Sequence, residues 1–118
     1  MTQQPSDGIF DELMETIIQR KSAAPQTSYT ASLFSGGVQK ICSKISEEAA
    51  ELVEAAKHES RQQQVHESAD LIYHVWVLLA QQNIPLSEIR KELASRFGIS
   101  GLEEKASRTP PPYESDKP

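Results

Sequence analysis

Features typical of secreted and membrane proteins are scarce in this sequence. Its 118 residues contain a single cysteine, Cys42, which cannot form an internal disulfide. The N-terminus lacks the basic start and apolar run of a signal peptide. The longest apolar stretch, residues 71–80, is interrupted by His74 and is too short to span a bilayer. We therefore expect a cytoplasmic protein with no membrane partner, in which Cys42 is a small buried residue of a helix.

An excess of basic residues is also absent. The chain has 12 lysines and arginines against 17 aspartates and glutamates, which gives a net charge of −5. Nucleic acids and anionic membranes are bound by basic surfaces, so this balance argues against both as partners. A phosphorylated substrate would need metal ions on so acidic a protein.

Strand signals are missing as well, because no stretch alternates apolar and polar residues over the length of a strand. Apolar residues instead recur every three or four positions, which predicts an all-α fold. The predicted helices cover about 9–21, 38–57 and 61–82, and a fourth begins at Ser87. Between the first two helices, residues 22–37 are expected to form a flexible loop with at most one short helical turn.

The composition also predicts where the folded part of the chain ends. We expect one domain over residues 1–104. The segment 105–118 is rich in proline and is expected to be disordered.

The third predicted helix is apolar on two sides. One side carries a stripe of Val65, Ala69, Ile72, Trp76 and Leu79. The opposite side combines Leu71 and Leu78 with His74 and two acidic residues. A helix that is apolar nearly all round needs cover on both sides, from another helix or from a second subunit. We therefore predict a four-helix-type bundle that is completed by homodimerisation.

Two pairs of acidic residues with the same spacing are the most informative motif. Glu48 and Glu51 are three residues apart in the second predicted helix, and Glu67 and Asp70 are three apart in the third. Residues three apart are neighbours on a helix surface, so two antiparallel helices would bring four carboxylates together. One such pair alone would be an ordinary solvated feature. The second pair, however, lies on a partly apolar side, where unpaired charges are costly.

Four carboxylates in close contact need a cation to remain ionised. Hard oxygen ligands favour Mg²⁺, with Mn²⁺ as an alternative, over Zn²⁺. Mg²⁺ commonly takes its remaining ligands from phosphates, so the motif predicts hydrolysis of a phosphoanhydride. Glu47, four residues before Glu51, could hold a second ion or orient the attacking water.

Three further side chains are candidates for a role near this site. Lys44 and Lys40 lie one and two turns before Glu48. Either they contact a substrate phosphate, or they are solvated lysines, with Lys44 paired to Glu48. His74 follows Asp70 by four residues, which suits a partner of that carboxylate and equally suits a core histidine with satisfied hydrogen bonds.

Taken together, these residues resemble the phosphoribosyl-ATP pyrophosphohydrolase family of histidine biosynthesis. The similar segments are Ser28-Tyr29-Thr30, Lys40-Ile41, Lys44, Glu47-Glu48-Ala49-x-Glu51 and Glu67-x-Ala69-Asp70-Leu71-x-Tyr73-His74, within about residues 9–98. The acidic elements alone are shared with other all-α nucleotide pyrophosphohydrolases, including the MazG-type and dimeric dUTPase enzymes. The S-Y-T and D-L-x-Y-H segments narrow the resemblance to the one family.

The resemblance implies an all-α homodimer that cleaves phosphoribosyl-ATP in a Mg²⁺-dependent reaction. The products would be phosphoribosyl-AMP and pyrophosphate, in the second step of histidine biosynthesis. The acidic motif carries over to Glu47 as the catalytic residue and to Glu48, Glu51, Glu67 and Asp70 as metal ligands. The substrate-binding residues would be Ser28, Tyr29 and Thr30, around the base and ribose, together with Lys40 and Lys44.

Two alternatives stay open. One is a MazG-type nucleoside triphosphate pyrophosphohydrolase that uses the same carboxylates, which a panel of substrates would distinguish. The other is a non-catalytic helical dimerisation module whose acidic sides are solvated or face a basic partner. Only a protein with a true metal site should be stabilised by Mg²⁺ or Mn²⁺.

Overall fold

The structure, a computed structural model, describes residues 8–97. It contains α1 (Ile9–Gln19), a 3₁₀ turn (Arg20–Ser22), α2 (Tyr29–His58), α3 (Arg61–Gln81) and α4 (Leu86–Ala94). No strand occurs among these residues, so the predicted all-α class is confirmed. In the same part of the chain, no helix is both long and apolar enough to cross a membrane.

Helix α1 is amphipathic, as its spacing predicts. Met14 and Ile17 are buried, whereas Phe10 is half exposed. The indole N–H of Trp76 donates to the backbone carbonyl oxygen of Phe10 at 2.9 Å, and the two rings lie 6.0 Å apart. These contacts attach α1 to α3.

Helix α2 begins nine residues before its predicted start at Val38, because the second half of the expected loop is helical. Ser28 caps the helix by accepting a hydrogen bond from the backbone N–H of Ala31 at 3.2 Å. Burial of Ala31 and Leu33 stabilises this segment as helix despite its weak helix propensity. The prediction of a loop across 22–37 is therefore wrong for its second half.

A kink divides α2 into two parts. It lies at Gly37, whose φ of 80° and ψ of −177° are not helical. Only glycine adopts this conformation without strain. The glycines that suggested a loop therefore mark a change of direction within one helix.

Helices α2 and α3 form an antiparallel pair joined by Glu59 and Ser60. They make the largest interface among the described elements. Ile41 and Ala55 of α2 and Val77 and Ala80 of α3 are buried in the core.

The acidic side of α3 is the side that is buried within the chain. Glu67 and His74 are buried with Val77, whereas Val65, on the opposite stripe, is 63% exposed. Together with α1 and Leu52, the first three residues of this stripe, Val65, Ala69 and Ile72, line an open groove of about 900 Å³. One chain therefore leaves the apolar side of α3 partly uncovered.

Cys42 is exposed, so the prediction that it is buried is wrong. Its neighbour Ile41 points into the core instead. Successive helical residues point about 100° apart, so the two cannot share one direction.

The chain divides after Leu86 into two compact units. Helices α1 to α3 belong to the first unit, and α4 belongs to the second except for Leu86 itself. The predicted domain end at residue 104 and the predicted tail at 105–118 lie outside the described residues.

Candidate metal centre

Three carboxylates meet between α2 and α3. Glu48 comes from α2, and Glu67 and Asp70 come from α3, one helical turn apart. One oxygen of each residue lies within 4.8 Å of the others. Glu48 is 8% exposed and Glu67 is 7% exposed, while Asp70 is partly buried. We call these three residues the acidic group; it contains three of the four carboxylates that the two spaced pairs predicted to meet.

Two oxygens of the acidic group are buried without a hydrogen-bond partner among the described residues. They are Oε1 of Glu48 and Oε1 of Glu67. Buried polar atoms in proteins are nearly always paired, and an unpaired one costs about 1–3 kcal/mol, or more if it is charged. Two such atoms in one place are available to bind a ligand.

The electrostatics of Glu48 favour a positively charged ligand over a neutral or negative one. Burial raises the pKa of Glu48 above its ordinary value of 4.5, and the negative charges of Glu51 and Asp70 raise it further. His74 opposes this with a smaller lowering effect. A cation would replace the lost hydration and neutralise the repulsion. The donor atoms are all carboxylate oxygens, so the residues present fit Mg²⁺ or Mn²⁺.

The two other acidic residues of this part of α2 are exposed. Glu51 lies outside the acidic group, although its charge reaches Glu48. Glu47 is 54% exposed and forms an ion pair with Lys44, with 3.4 Å between the carboxylate oxygen and Nζ. Lys44 therefore pairs with Glu47, in place of the Glu48 partner that its spacing also allowed.

His74 is buried beside the acidic group, and both of its ring nitrogens are hydrogen-bonded. Nδ1 donates to the backbone carbonyl oxygen of Asp70 at 2.8 Å, because a carbonyl can only accept. In the neutral ring, Nε2 then accepts from the hydroxyl of Tyr29 at 2.9 Å. His74 thus contacts the main chain of Asp70 and connects α3 to the first turn of α2.

The S-Y-T segment begins α2, and its three side chains have different surroundings. Ser28 caps the helix. Thr30 is buried, and its hydroxyl is bonded to that of Tyr73. Tyr29 is 52% exposed, and its ring is stacked 6.3 Å from the ring of Tyr73. Of the three, Tyr29 offers the largest accessible surface close to the acidic group.

Lys44 and Tyr29 are close enough to affect each other's proton affinity. The pKa of Lys44 is raised, first by Tyr29 and then by the hydrogen bond to Glu47. Burial raises the pKa of Tyr29, against the lowering effect of Lys44. A protonated lysine therefore lies beside the tyrosine at neutral pH.

Lys40 is placed differently from Lys44. It is exposed, and its aliphatic stem occupies the space that a Cβ at position 36 would need. Glycine at this position therefore allows Lys40 to lie against the backbone.

Sequence reasoning did not identify two donors beside the acidic group. Gln63 Nε2 donates to Oε2 of Glu67 at 2.7 Å. His66 Nε2 lies 3.3 Å from Oδ2 of Asp70. Each donor precedes its carboxylate by four residues, a spacing that makes helical side chains neighbours. That spacing is the signal from which both could have been found.

The chain is similar to known proteins over most of its length. The family model described as phosphoribosyl-ATP pyrophosphohydrolase matches residues 10–97, which include the whole acidic group. A protein of Trichlorobacter lovleyi named phosphoribosyl-ATP pyrophosphatase is 50% identical over 100 residues, which cover 85% of this chain and 93% of that protein.

Two further relatives carry the same name. The protein of Dechloromonas aromatica is 50% identical over 100 residues, covering 85% of this chain and 93% of its own. The protein of Geobacter sulfurreducens is 47% identical over 102 residues, covering 86% of this chain and 94% of its own.

Proposed function

This chain belongs to the phosphoribosyl-ATP pyrophosphohydrolase family, and we propose that it hydrolyses phosphoribosyl-ATP at the α–β phosphoanhydride bond. The products are phosphoribosyl-AMP and pyrophosphate, in the second step of histidine biosynthesis, which we place in the cytoplasm. The observation that carries the proposal is the pair of buried, unpaired carboxylate oxygens of Glu48 and Glu67.

The proposed cofactor is Mg²⁺, with Mn²⁺ as its substitute. Glu48, Glu67 and Asp70 would hold it, and Glu51 would add a fourth carboxylate from the exposed surface of α2. When bound, such an ion neutralises phosphate charge and polarises a phosphoryl oxygen. The net charge of −5 supports the proposal of a metal ion, because without a cation the protein would repel a polyphosphate.

The substrate would meet the lysines and Tyr29 at the accessible edge of the acidic group. Lys44 is protonated and about one-third exposed, so it can contact a phosphate oxygen, with Lys40 in the same role farther along α2. The exposed ring of Tyr29 offers a surface for the base and ribose, and His74 holds its hydroxyl in place. Ser28 supports this segment by capping α2, and Thr30 supports it through the hydrogen bond between its hydroxyl and that of Tyr73 in α3.

Glu47 remains the candidate for catalysis. Its exposed carboxylate pairs with Lys44, which places it where that lysine would meet a phosphate. There it could orient the attacking water or hold a second ion. Glu47→Gln keeps the size of the side chain and removes its charge. Lost turnover with unchanged Mn²⁺ affinity would support the role in orienting water.

The proposed assembly is a homodimer in which a second copy covers the groove along α3. The groove is lined by apolar residues that include Phe10, Leu13, Val65 and Ile72. Val65→Glu adds a charge where one chain leaves the position 63% exposed. Val53→Glu is the matched control, because Val53 is 52% exposed and does not line the groove.

Light scattering after size exclusion tests this assembly. If the groove is the interface, Val65→Glu becomes a monomer while Val53→Glu stays a dimer. A monomeric wild-type protein, or a dimer that survives Val65→Glu, would contradict the proposed interface.

The activity is tested by pyrophosphate release with Mg²⁺, offering phosphoribosyl-ATP beside ATP, dUTP and dCTP. Selective turnover of phosphoribosyl-ATP supports the proposal. Turnover of the plain nucleotides would assign the chain to MazG-type chemistry. No turnover of any substrate would favour the non-catalytic dimerisation module.

A further inference from the structure

The side-chain amide of Gln63 does not complete the capping box at the start of α3 but binds Glu67 instead. Ser60 and Gln63 have the spacing of a capping box, in which the serine accepts from the third backbone N–H and the glutamine side chain returns to the N-cap N–H. The first bond is present, from the backbone N–H of Gln63 to Ser60 Oγ at 3.1 Å. The side chain, however, points forward along α3 and donates to Oε2 of Glu67 at 2.7 Å.

This hydrogen bond gives the two oxygens of Glu67 different surroundings. Oε2 is occupied by the Gln63 amide, while Oε1 is buried without a partner among the described residues. The carboxylate is thus held in one orientation, with a single oxygen left for a ligand. A buried acceptor with one fixed and one open oxygen is suited to binding a cation through the open one.

The neighbouring pair, His66 and Asp70, has the same spacing but lies nearer to solvent. The side chains of these two residues are 64% and 41% exposed. Because water can replace an exposed contact, its loss should cost little. Loss of the contact between Gln63 and the buried Glu67 should therefore cost more than loss of the contact between His66 and Asp70.

We infer that Gln63 is a positioning residue that orients the Glu67 carboxylate so that Oε1 is presented to the metal ion. The inference rests on the proposed function, because it needs a cation in the acidic group. A neutral amide suits the role, since it fixes the carboxylate without cancelling the charge that attracts the ion. Side chains that orient metal ligands in this way typically contribute about 10–100-fold to affinity.

The chain supplies a matched control, because Gln62 and Gln63 are consecutive and only Gln63 contacts Glu67. Gln63→Met and Gln62→Met both keep the length and the helix propensity of the side chain while removing the amide. Mn²⁺ binding is measured by calorimetry on the full chain, and thermal unfolding is measured in EDTA. Gln63→Ala serves as a second variant if the methionine packs poorly.

Gln63→Met should weaken Mn²⁺ binding by about tenfold or more, while Gln62→Met should stay within about twofold of wild type. The Mn²⁺ concentration for half-maximal turnover should rise in parallel, with kcat recovering at saturating Mn²⁺. In EDTA, Gln63→Met should melt below Gln62→Met, because Oε2 of the buried Glu67 then loses its partner as well. The Mn²⁺ affinity is therefore the readout that a merely structural role would not change.

The inference is overturned if Gln63→Met and Gln63→Ala bind Mn²⁺ like wild type, or if Gln62→Met weakens binding equally. A lower melting temperature in EDTA with unchanged Mn²⁺ affinity would show that Gln63 serves only the helix. If the wild-type protein binds no Mn²⁺, the proposed metal site fails, and the inference fails with it. That result is distinguishable, because it appears before any variant is compared.

Discussion

The two acidic pairs have the same spacing but different surroundings. In α3, Glu67 and Asp70 both belong to the acidic group, and each is contacted by a donor four residues earlier. In α2, Glu48 belongs to the group, while Glu51 is exposed. The pKa of Glu48 is raised, first by burial and then by repulsion from Glu51 and Asp70.

This difference shows what the spacing of acidic residues can and cannot determine. In any α-helix, two carboxylates that are three residues apart lie on the same side. Which of the two is covered depends on how the neighbouring helix packs over that side. Two motifs with equal spacing can therefore differ, with both carboxylates in the acidic group in one helix and only one of the two in the other.

The largest effect expected from this comparison is on turnover. Glu48→Gln should reduce turnover of phosphoribosyl-ATP by more than about a hundredfold, because losing a direct ligand should exceed the cost of losing a residue that supports one. Glu54→Gln is the matched control, since Glu54 is 63% exposed and pairs with His58. Pyrophosphate release measures both variants. Equal activity of the two variants would remove Glu48 from the site.

The exposed member of the same pair should matter less. Glu51→Gln is expected to weaken Mn²⁺ binding by about tenfold, less than Glu48→Gln, because water can replace an exposed ligand. Calorimetric titration with Mn²⁺ measures both. A loss as large as that of Glu48→Gln would mean that the two carboxylates are equivalent once the ion is bound.

The smallest expected effect is on the free energy of unfolding. Glu48→Gln should be more stable than wild type without metal and less stable than wild type with metal. Without metal at pH 7, Glu48→Gln should be more stable than wild type by about 1 kcal/mol, since it removes a buried charge. With Mg²⁺ at a hundred times its Kd, wild type should gain about 2.7 kcal/mol and the variant much less. Thermal melts with EDTA and with Mg²⁺ measure this. A variant that is less stable in EDTA would contradict the electrostatic interpretation.

Without metal, the difference in stability between Glu48→Gln and wild type should also depend on pH. The folded-state pKa of Glu48 is raised above 4.5, so its protonated form stabilises the folded state below that pH. This stability is lost as the pH rises through the folded-state pKa. The gap between Glu48→Gln and wild type should therefore be small at pH 4 and should widen toward pH 7. A constant gap would mean that ionisation of Glu48 is not its cause.

Much of the fold could be predicted from periodicity. The bounds of α1 and α3 and the end of α2 lie within two residues of the predicted ones. The start of α2 could not be predicted, because Ser28 to Gly37 is weakly helical by composition and is held as helix by burial of Leu33. The prediction that Cys42 is buried was wrong for a related reason, since a run of apolar residues does not indicate which of them faces the core.

In the candidate site as well, some features follow from local helical geometry and others depend on tertiary packing. By itself, the sequence determined that Glu48 and Glu51 share one side of α2 and that Glu67 and Asp70 share one side of α3, because helical geometry is set by local hydrogen bonds. Only the tertiary structure decided that Glu51 stays exposed and that His74 faces Tyr29 across the helices. These outcomes depend on how side chains far apart in the chain exclude water from one another, and no local pattern encodes that.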